Sequence, residues 1–410
     1  MPIALCRICH SSSIQTVHEF SPIPYGDLYQ PNPESALAME TSELILVRCE
    51  SCGLLQLKNL TKLEDQYSDY LYFSSVTHNL LALYKRIAKR LIDYTPLLGS
   101  DLILDIGSND GSFLECFSSK TLNLFGVDPS LPACTIARRK GLTIDISFFD
   151  FEFVTDFLNK HERPKLITCN YTIANVPDLD SFFTSIRMLM SKETLFNLVT
   201  GYHLDQFQVG MFDYINHDHH TYLTLHDLQF LATKHGMKLL YFYRHEHKGG
   251  SVEVGISLIE SEFQVEESIF QNLQREEWLK HRGNGQILRM VDQISENSEI
   301  VSSILDGFDS KRSKTVGIGA SISTTSLISE FHLQDRILVL YDDDERKALK
   351  YAPGSGIAVR PMVEVSNLEV GAVAVIASWQ HSNRLIQRLK DLGFAGNILI
   401  PMPHPKILSL

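Results

Sequence analysis

Residues 102–114, LILDIGSNDGSFL, decide the fold that this sequence predicts. An apolar strand ends at Asp105, and Gly107 and Gly111 lie in a turn that we expect to open a helix. Glycines in such a turn let the backbone come close to a ligand, as in dinucleotide-binding folds. The spacing here is Asp-x-Gly-x-x-x-Gly rather than Gly-x-Gly-x-x-Gly. The stretch therefore predicts a ligand site at the carboxyl end of a buried strand.

The rest of the chain alternates between strand-like and helix-like segments, which predicts an α/β protein. Before the turn, the apolar spacing of residues 79–98 predicts an amphipathic helix. Buried strands are predicted at NLFGVD, KLITCN and TLFNLV, and charged helices between about residues 260 and 310. A second series, KTVGIGA, RILVLYDDD, AVAVIAS and NILIPMP, predicts a smaller parallel sheet of Rossmann type. We therefore expect three domains, at residues 1–65, 66–255 and 256–410.

Four of the seven cysteines form two pairs with metal-ligand spacing, Cys6-x-x-Cys9 and Cys49-x-x-Cys52. Two such knuckles can complete a tetrahedron of thiolates around one Zn²⁺. In a cytosolic chain, paired cysteines indicate a metal before a disulfide. Four thiolates leave no open coordination position, so the zinc is predicted to be structural. Four unligated thiols are the alternative.

The composition excludes several classes of partner. The formal net charge of −12 disfavours nucleic acid and anionic membranes, because both need a basic surface. The first residues, MPIALCRICH, do not have the pattern of a secretory signal, and no apolar run approaches the ~18 residues of a membrane span. We therefore expect a cytoplasmic protein, and the sequence indicates no particular oligomeric state.

Three further stretches extend the site that begins at the glycine turn. Asp128 ends the strand in LFGVDPS, with Pro129 beside it, and can accept hydrogen bonds from both hydroxyls of a ribose. Phe149, in SFFDFE, would flank an adenine, and Asn170 ends the fourth strand in ITCNYTIANVPD. The residues assigned to the turn itself are Asp105, Gly107, Asn109, Asp110 and Gly111. These four motifs, in this order along the chain, resemble those of class I S-adenosylmethionine (SAM) methyltransferases. A Rossmann domain that binds another nucleotide is the alternative.

The stretch FDYINHDHHTY, residues 212–222, concentrates three histidines and two aspartates. Such a cluster can bind a metal, transfer a proton or lie idle in solvent. On a strand, His217 and His219 would share one face, and His220 would point away. We favour proton transfer by His219, because it follows the last strands of the SAM domain and because histidine titrates in the required range.

Taken together, these features resemble the sugar C-methyltransferases of deoxysugar biosynthesis over nearly the whole chain. The resemblance includes the four cysteines, the SAM motifs and a Tyr-x-Tyr-x-Ser-Ser element that comprises Tyr70, Tyr72, Ser74 and Ser75. The stretches VGIGASISTTSL, LYDDDERKALKYAPG and SWQH match the family's C-terminal domain. The resemblance implies a zinc-binding domain, a central class I SAM methyltransferase domain of Rossmann-like fold and a smaller, Rossmann-like substrate-binding domain. It also implies SAM as methyl donor and a nucleotide-linked 4-keto-6-deoxysugar as the acceptor, methylated at carbon 3.

The catalytic residues are likewise implied by this resemblance. The family signature Phe-Asp-x-Ile-Tyr-x-Glu-His-Phe aligns with residues 212–220 and makes His219 the base that removes the proton from carbon 3. Tyr72, Asn216 and Asp218 would steady the resulting enolate or orient the base, and Ser75 is assigned to the cofactor site. Asn216 replaces the family's tyrosine, and Val199 replaces a glutamate of a second motif. Two alternatives therefore stay open: a non-methylating epimerase or isomerase on the same scaffold, and a non-catalytic nucleotide-sugar binding protein.

The resemblance also implies residues that bind the acceptor substrate. His247, Gly249 and Gly250 approximate the family's His-Gly-Gly element, with Lys248 inserted, although a plain hairpin turn explains them equally well. The turn GIGA at a helix N-terminus can receive a pyrophosphate. The residues assigned to the substrate are Tyr202, His247, Gly249, Gly250, Gly319, Asp342 and His381.

Overall fold

The computed structural model describes residues 5–26, 28–60, 73–76, 78–121, 123–280, 285–309 and 313–410. The chain forms two compact units, each assembled from three segments. The first unit comprises Met1–Gln15, Val47–Asp205 and Asp218–Gly283. The second comprises Thr16–Leu46, Gln206–His217 and Asn284–Leu410. The division into three domains at residues 65 and 255 stays a prediction.

Regular elements occupy most of the described chain. The strands are β1 (Ile14–Pro24), β2 (Thr41–Cys49), β3 (Leu55–Leu57), β4 (Ile103–Ile106), β5 (Leu124–Val127), β6 (Thr143–Asp145), β7 (Leu166–Asn170), β8 (Leu195–Gly201), β9 (Thr221–Tyr222), β10 (Met237–His245), β11 (Ser251–Leu258), β12 (Thr315–Ile318), β13 (Leu340–Asp342), β14 (Val359–Pro361), β15 (Val373–Ile376), β16 (Asn397–Ile400) and β17 (Lys406–Ser409). The α-helices are α1 (Pro33–Leu37), α2 (His78–Tyr94), α3 (Leu131–Arg139), α4 (Phe151–Lys160), α5 (Leu179–Leu189), α6 (His203–Gln206), α7 (Leu225–Lys234), α8 (Glu267–Lys280), α9 (Gly285–Asp309), α10 (Ile322–Glu330) and α11 (Ser382–Asp391).

The first unit contains a seven-stranded sheet in the order β10-β11-β8-β7-β4-β5-β6. Strands β4 to β8 pair in parallel, whereas β11 is antiparallel to both β8 and β10. All residues of β4, β7 and β8 are buried, as expected for parallel strands whose two faces are both covered. The strands predicted at NLFGVD, KLITCN and TLFNLV are confirmed as β5, β7 and β8. The helix predicted at residues 79–98 is confirmed as α2.

Three helices of this unit follow β5, β6 and β7 along the chain and are capped by side chains. Ser130 accepts a hydrogen bond from the backbone N–H of Ala133 at the start of α3. Asp150 caps α4 and Asp178 caps α5 in the same way. Each cap satisfies a backbone donor that the helix itself cannot pair. The caps therefore fix polar loops at the carboxyl ends of the parallel strands.

The cysteine knuckles belong to the first unit and share its hydrophobic core. Cys6, Ile8 and Cys49 are buried in one cluster with Leu104 of β4 and Leu198 of β8. A four-stranded sheet runs in the order β1-β2-β3-β9, and its β3–β9 pairing is antiparallel. The knuckles are therefore joined by packing and strand pairing to the residues that follow the histidine cluster.

The second unit contains a six-stranded sheet in the order β14-β13-β12-β15-β16-β17. Five of its strands are parallel, and only β17 is antiparallel. This confirms the smaller parallel sheet predicted from the second strand series. The predicted strand RILVLYDDD is shorter than expected, because only Leu340–Asp342 pairs with its neighbours. In the described residues of both units, no helix is long and apolar enough to span a membrane.

Candidate active site

A cavity of about 650 Å³ opens in the first unit at the carboxyl ends of β4, β5 and β7. It is lined by residues of the strand ends, the helix caps and the histidine segment. Its lining includes Ser74, Tyr84, Gly107, Asn109, Asp128, Pro129, Phe149, Asp150, Asn170, Tyr171, Thr172, Asn175, Asp178, Asp218, His219 and Lys248. Most residues predicted for SAM thus lie in one place, together with two residues predicted for catalysis.

The glycine turn after β4 forms one wall of this cavity. Gly107 has a φ of 70°, and a Cβ atom there would lie 2.0 Å from Oγ1 of Thr172. Only glycine therefore allows the turn to pack against the loop after β7. Gly111 instead packs against Leu142, and the turn is followed by a 3₁₀ helix, Leu114–Phe117, where we expected a longer helix.

Asp128 organises the turn as well as facing the cavity. Its Oδ2 accepts a hydrogen bond from the backbone N–H of Asn109 at 2.9 Å, and its Oδ1 accepts one from Ser130 at 2.8 Å. Burial raises the pKa of its carboxyl group. The carboxylate thus links the ends of β4 and β5 at the position where the sequence predicted ribose binding.

Asp105 and Asn170 form a buried polar pair behind the turn. Burial raises the pKa of Asp105 to about 7, although the hydroxyl of Thr168 donates to this carboxyl group at 2.6 Å. Asn170 donates to the same oxygen at 3.4 Å, and its own Oδ1 is buried without a hydrogen-bond partner among the described residues. Asn170 lines the cavity, so this acceptor offers an unused position for a ligand donor.

Several residues predicted for the cofactor lie beside the cavity instead of lining it. Asp105, Asp110, Gly111 and Ser75 are absent from the described residues of its wall. Asp110 accepts a hydrogen bond from the backbone N–H of Ser75 at 2.8 Å, and Asn109 accepts one from Ser74 at 2.9 Å. These bonds anchor the described end of the Tyr-x-Tyr-x-Ser-Ser element to the turn. Tyr70 and Tyr72, including the catalytic prediction for Tyr72, lie outside the described residues.

The histidine segment is a turn, so the predicted strand geometry is wrong. Residues 215–220 have no strand structure, and β9 begins only at Thr221. Asp218 and His219 line the cavity. His220 is fully buried, and its backbone N–H donates to the carbonyl of Ala174 at 2.7 Å.

The residues just before Asp218 belong to the second unit. His217 is buried against the ring of Tyr25, with 4.7 Å between ring centroids, and burial lowers its pKa to about 4. Asn216 is also buried in that unit and lies outside the described lining of the cavity. The strand geometry that would put His217 and His219 on one face does not apply, because residues 215–220 form no strand.

The predicted substrate residues of the first unit adjoin the cavity through Lys248. The hydroxyl of Tyr202 donates to Glu276 at 2.6 Å, and its backbone N–H donates to the carbonyl of Gly250 at 3.0 Å. His247 and Gly249 belong to a short 3₁₀ helix that precedes β11. Of this segment, Lys248 is the described residue in the cavity wall.

The predicted substrate residues of the second unit surround the turn after β12. Gly319 has a φ of 98°, and a Cβ atom there would lie 2.2 Å from Oγ of Ser378. Asp342 accepts a hydrogen bond from the backbone N–H of Ala320 at 2.6 Å. His381 is exposed at the start of α11. The geometry resembles a nucleotide-binding turn, with an acidic residue on the backbone N–H that follows the glycine.

The four predicted zinc ligands converge. Their sulfur atoms all lie within 4.8 Å of one another, with 3.5 Å between Cys6 and Cys52 and 3.5 Å between Cys9 and Cys49. Tetrahedral Zn–S bonds of about 2.3 Å imply sulfur separations of about 3.8 Å. The cluster therefore fits a zinc ion with four thiolate ligands.

Sequence patterns did not identify Tyr84, Tyr171 and Thr172, although all three line the cavity. Tyr171 and Thr172 follow β7 directly, so their position after a strand was the available signal. Lys248 was visible only as an insertion in the His-Gly-Gly element.

Comparisons with known proteins found matches over most of the chain. Residues 76–241 match a family described as a methyltransferase domain, and residues 246–403 match the C-methyltransferase C-terminal domain. C-methyltransferase NovU of Streptomyces niveus is 22% identical over 410 residues, which cover 100% of this chain and 97% of NovU. The methyltransferase match and the sheet order confirm the predicted class I fold.

Two solved structures of methyltransferases are each similar to less than half of this chain. A SAM-dependent methyltransferase from Clostridium acetobutylicum ATCC 824 is 15% identical with a TM-score of 0.35, covering 43% of this chain and 90% of that one. Magnesium protoporphyrin IX methyltransferase from Synechocystis PCC 6803 with bound SAM is 12% identical with a TM-score of 0.33, covering 48% and 89%.

Proposed function

Since the chain belongs to the sugar C-methyltransferase family and is a SAM-dependent C-methyltransferase, we propose that it methylates a nucleotide-linked ketosugar whose proton His219 removes. One observation carries the proposal. His219 and Asp218 line the same cavity as Gly107, Asp128 and Phe149. A base and a methyl-donor site within one cavity are what methylation of a weakly acidic carbon requires.

The chain's own residues fit the methyl donor. Asp128 would accept hydrogen bonds from ribose hydroxyls, Phe149 would contact the adenine, and Gly107 lets the backbone approach the amino-acid part. The unpaired Oδ1 of Asn170 would accept a hydrogen bond from the donor. When bound, SAM supplies an electrophilic methyl group.

The acceptor chemistry belongs to His219 and its neighbours. A carbon beside a ketone is acidic enough for an imidazole to remove its proton once the two are held together. The electron pair of the C–H bond moves to the ketone oxygen, which gives an enolate. Asp218, the residue before the base, would orient it. Roles for Asn216 and Tyr72 in steadying the enolate stay predictions.

For the second unit by itself, we propose that it binds a nucleotide. The supporting feature is the turn at Gly319, which precedes α10 and lies beside Asp342. A helix N-terminus after a glycine turn suits a pyrophosphate. Tyr202, His247, Gly249, Gly250 and His381 remain proposed acceptor residues.

The test is solvent deuterium exchange at the sugar carbon beside the ketone, followed without SAM. His219→Asn should lose ~10²–10⁴-fold in exchange and turnover, the usual contribution of a positioned general base. Its SAM affinity should stay at the wild-type value. His161→Asn, at an exposed position after α4, is the matched control and should behave as wild type. Exchange at full rate in His219→Asn would remove this residue from the mechanism.

A further inference from the structure

Lys248 places an amine in the wall of the cavity that contains the proposed base. It lines this cavity together with Asp218 and His219, which come from a different loop. Lys248 precedes the glycine pair Gly249-Gly250, which leads into β11. The amine is therefore a feature of this chain beyond the residues already assigned.

The backbone around the amine is held in an unusual conformation. Lys248 has a φ of 54° and Tyr171 a φ of 56°, both in the left-handed region that side-chain-bearing residues seldom adopt. Such conformations are energetically unfavourable and cluster at ligand sites. With Asn109, whose φ is 50°, the described wall of this cavity contains three such residues, which indicates that their side chains are positioned for a ligand.

Aromatic and hydroxyl groups fix the position of the amine. Nζ of Lys248 lies 4.6 Å from the centroid of the Tyr171 ring. That ring is held by a 2.9 Å hydrogen bond between its hydroxyl and Ser251, and by an edge contact with His247 at 5.5 Å between centroids. The face of an aromatic ring attracts a cation, so the ring holds the ammonium at the cavity wall.

Two opposing effects set the pKa of the Lys248 amine. Burial lowers the pKa of Lys248 to about 8, and the carboxylate of Asp218 opposes this shift. At neutral pH the half-buried side chain is therefore mostly a cation. The other titratable side chains of the described cavity wall are Tyr84, Asp128, Asp150, Tyr171, Asp178 and His219.

We propose that Lys248 is a catalytic residue that donates a hydrogen bond to the ketone oxygen of the acceptor and stabilises the enolate formed there. This inference rests on the proposed function. His219 takes the proton from carbon, and the electron pair of the C–H bond moves to the oxygen facing Lys248. The pair then returns to form the new bond to the methyl group, while the electrons of the methyl–sulfur bond remain on sulfur. Lys248 keeps its proton throughout.

The role follows from where charge develops during the reaction. The ketone oxygen is neutral in the bound acceptor and negative in the enolate. A cation held beside this oxygen interacts much more strongly with the enolate than with the ketone. Lys248 should therefore accelerate proton removal more than it improves acceptor binding.

The experiment compares the full chain with Lys248→Met, Lys248→Gln and Lys248→Arg. Lys160→Met, an exposed position on α4, is the matched control. Three quantities are measured: deuterium exchange beside the ketone without SAM, kcat and KM with a panel of nucleotide-linked 4-keto-6-deoxysugars, and the Kd of SAM. Circular dichroism confirms that each variant is folded, and Lys248→Gln replaces Lys248→Met if the latter does not fold.

We expect Lys248→Met to lose ~10²–10³-fold in exchange and in kcat, the range seen for removal of one oxyanion donor. KM and the Kd of SAM should change by less than about threefold, and Lys248→Arg should recover part of the exchange because it keeps a cationic donor. Exchange within threefold of wild type in Lys248→Met overturns the inference, as does a loss confined to KM. A wild-type chain that neither exchanges nor methylates any ketosugar overturns the proposed function, and the inference with it.

Discussion

At the scale of single residues, Asp128 combines two tasks that a substitution can separate. Its carboxylate accepts backbone hydrogen bonds from Asn109 and Ser130 and also lines the cavity. Asp128→Ala should weaken SAM binding by about 1–3 kcal/mol, because hydrogen-bond donors lose their acceptor. Asp128→Asn, which keeps one oxygen, should lose less. Titration calorimetry measures the Kd of each variant, and equal affinities in wild type and Asp128→Ala would contradict the assignment of this residue to the donor site.

His217 should affect stability and its pH dependence rather than turnover. Burial lowers its folded pKa to about 4, below the unfolded value of about 6.5. The unfolded chain therefore binds the extra proton first, so the stabilising contribution of the neutral ring is complete above pH 6.5 and is lost as pH falls towards 4. Between pH 7 and pH 5 the wild type should lose about 2 kcal/mol relative to His217→Gln.

The measurement is urea denaturation of both proteins at the two pH values. The exposed His161→Gln variant provides the comparison and should follow the wild type. A stability difference between wild type and His217→Gln that stays constant from pH 7 to pH 5 would show that His217 is not buried as a neutral ring.

The sequence could predict those site residues whose positions follow from neighbouring residues in the chain. Gly107 and Asp128 sit at fixed distances from strand ends, so a linear pattern identifies them. Lys248 reaches the cavity through a left-handed backbone conformation, and Tyr171 does so as well. The position of Lys248 depends on the pairing of β8 with β11 across the sheet, which leaves no periodic mark in the sequence, whereas Tyr171 directly follows β7. The burial of His217 in the second unit could not be predicted either, because no local sequence pattern marks the boundary between units after this residue.

At the scale of elements, Arg7 connects the first cysteine knuckle to the histidine segment. Its guanidinium donates to the carbonyl of His220 and, at 2.8 Å, to the carbonyl of Leu57, while its side chain is buried. Arg7→Met should destabilise the first unit by about 1–3 kcal/mol, because buried carbonyls lose a charged donor. It should also slow deuterium exchange into the acceptor more than it weakens SAM binding, since β9 begins two residues after His219.

Hydrogen-exchange mass spectrometry provides the structural readout for Arg7. Amides of residues 218–222 should exchange faster in Arg7→Met than in wild type, whereas those of β4 should be unchanged. Arg7→Lys keeps one donor and serves as the control. Unaltered protection at residues 218–222 in Arg7→Met would show that the knuckle does not position this segment.

The elements predicted correctly are those with long apolar runs. Strands β4, β7 and β12 are wholly buried, so each reads as a continuous apolar segment. Strand β17 is exposed at every position and is antiparallel, and β14 has only three residues. Neither carries enough apolar periodicity to stand out. The sequence of residues 215–220 indicates no particular regular element, and the structure forms a turn there.

At the scale of the whole molecule, the zinc site should stabilise the core of the first unit as well as the two cysteine knuckles. Cys6 and Cys49 are buried in one core with residues of β4 and β8. Structural zinc contributes ~10–16 kcal/mol of apparent binding free energy in small domains. Cys49→Ser should therefore lower the melting temperature of the methyltransferase unit and weaken SAM binding, beyond losing zinc.

Metal analysis and calorimetry test this together. Wild type should contain about one equivalent of zinc, and Cys49→Ser less than half of that. Cys116→Ser replaces a free thiol outside the cluster and should keep both the zinc and the melting temperature. A Cys49→Ser protein that loses its zinc but melts like the wild type would show that the knuckles are independent of the methyltransferase core.

The interleaved segments of the two units also determine the order in which the protein can mature on the ribosome. Gln30 exchanges backbone hydrogen bonds with Tyr351 at 2.9 Å and 2.8 Å, and Ser21 donates to Glu330 at 2.8 Å. Synthesis of the intervening ~300 residues takes about 15–60 s at ~5–20 residues per second. The early segment must wait through that interval while the first unit, complete in sequence at Gly283, already folds. A nascent chain stalled before residue 330 should therefore contain a folded methyl-transfer unit and an unpaired early segment that is open to chaperones and proteases.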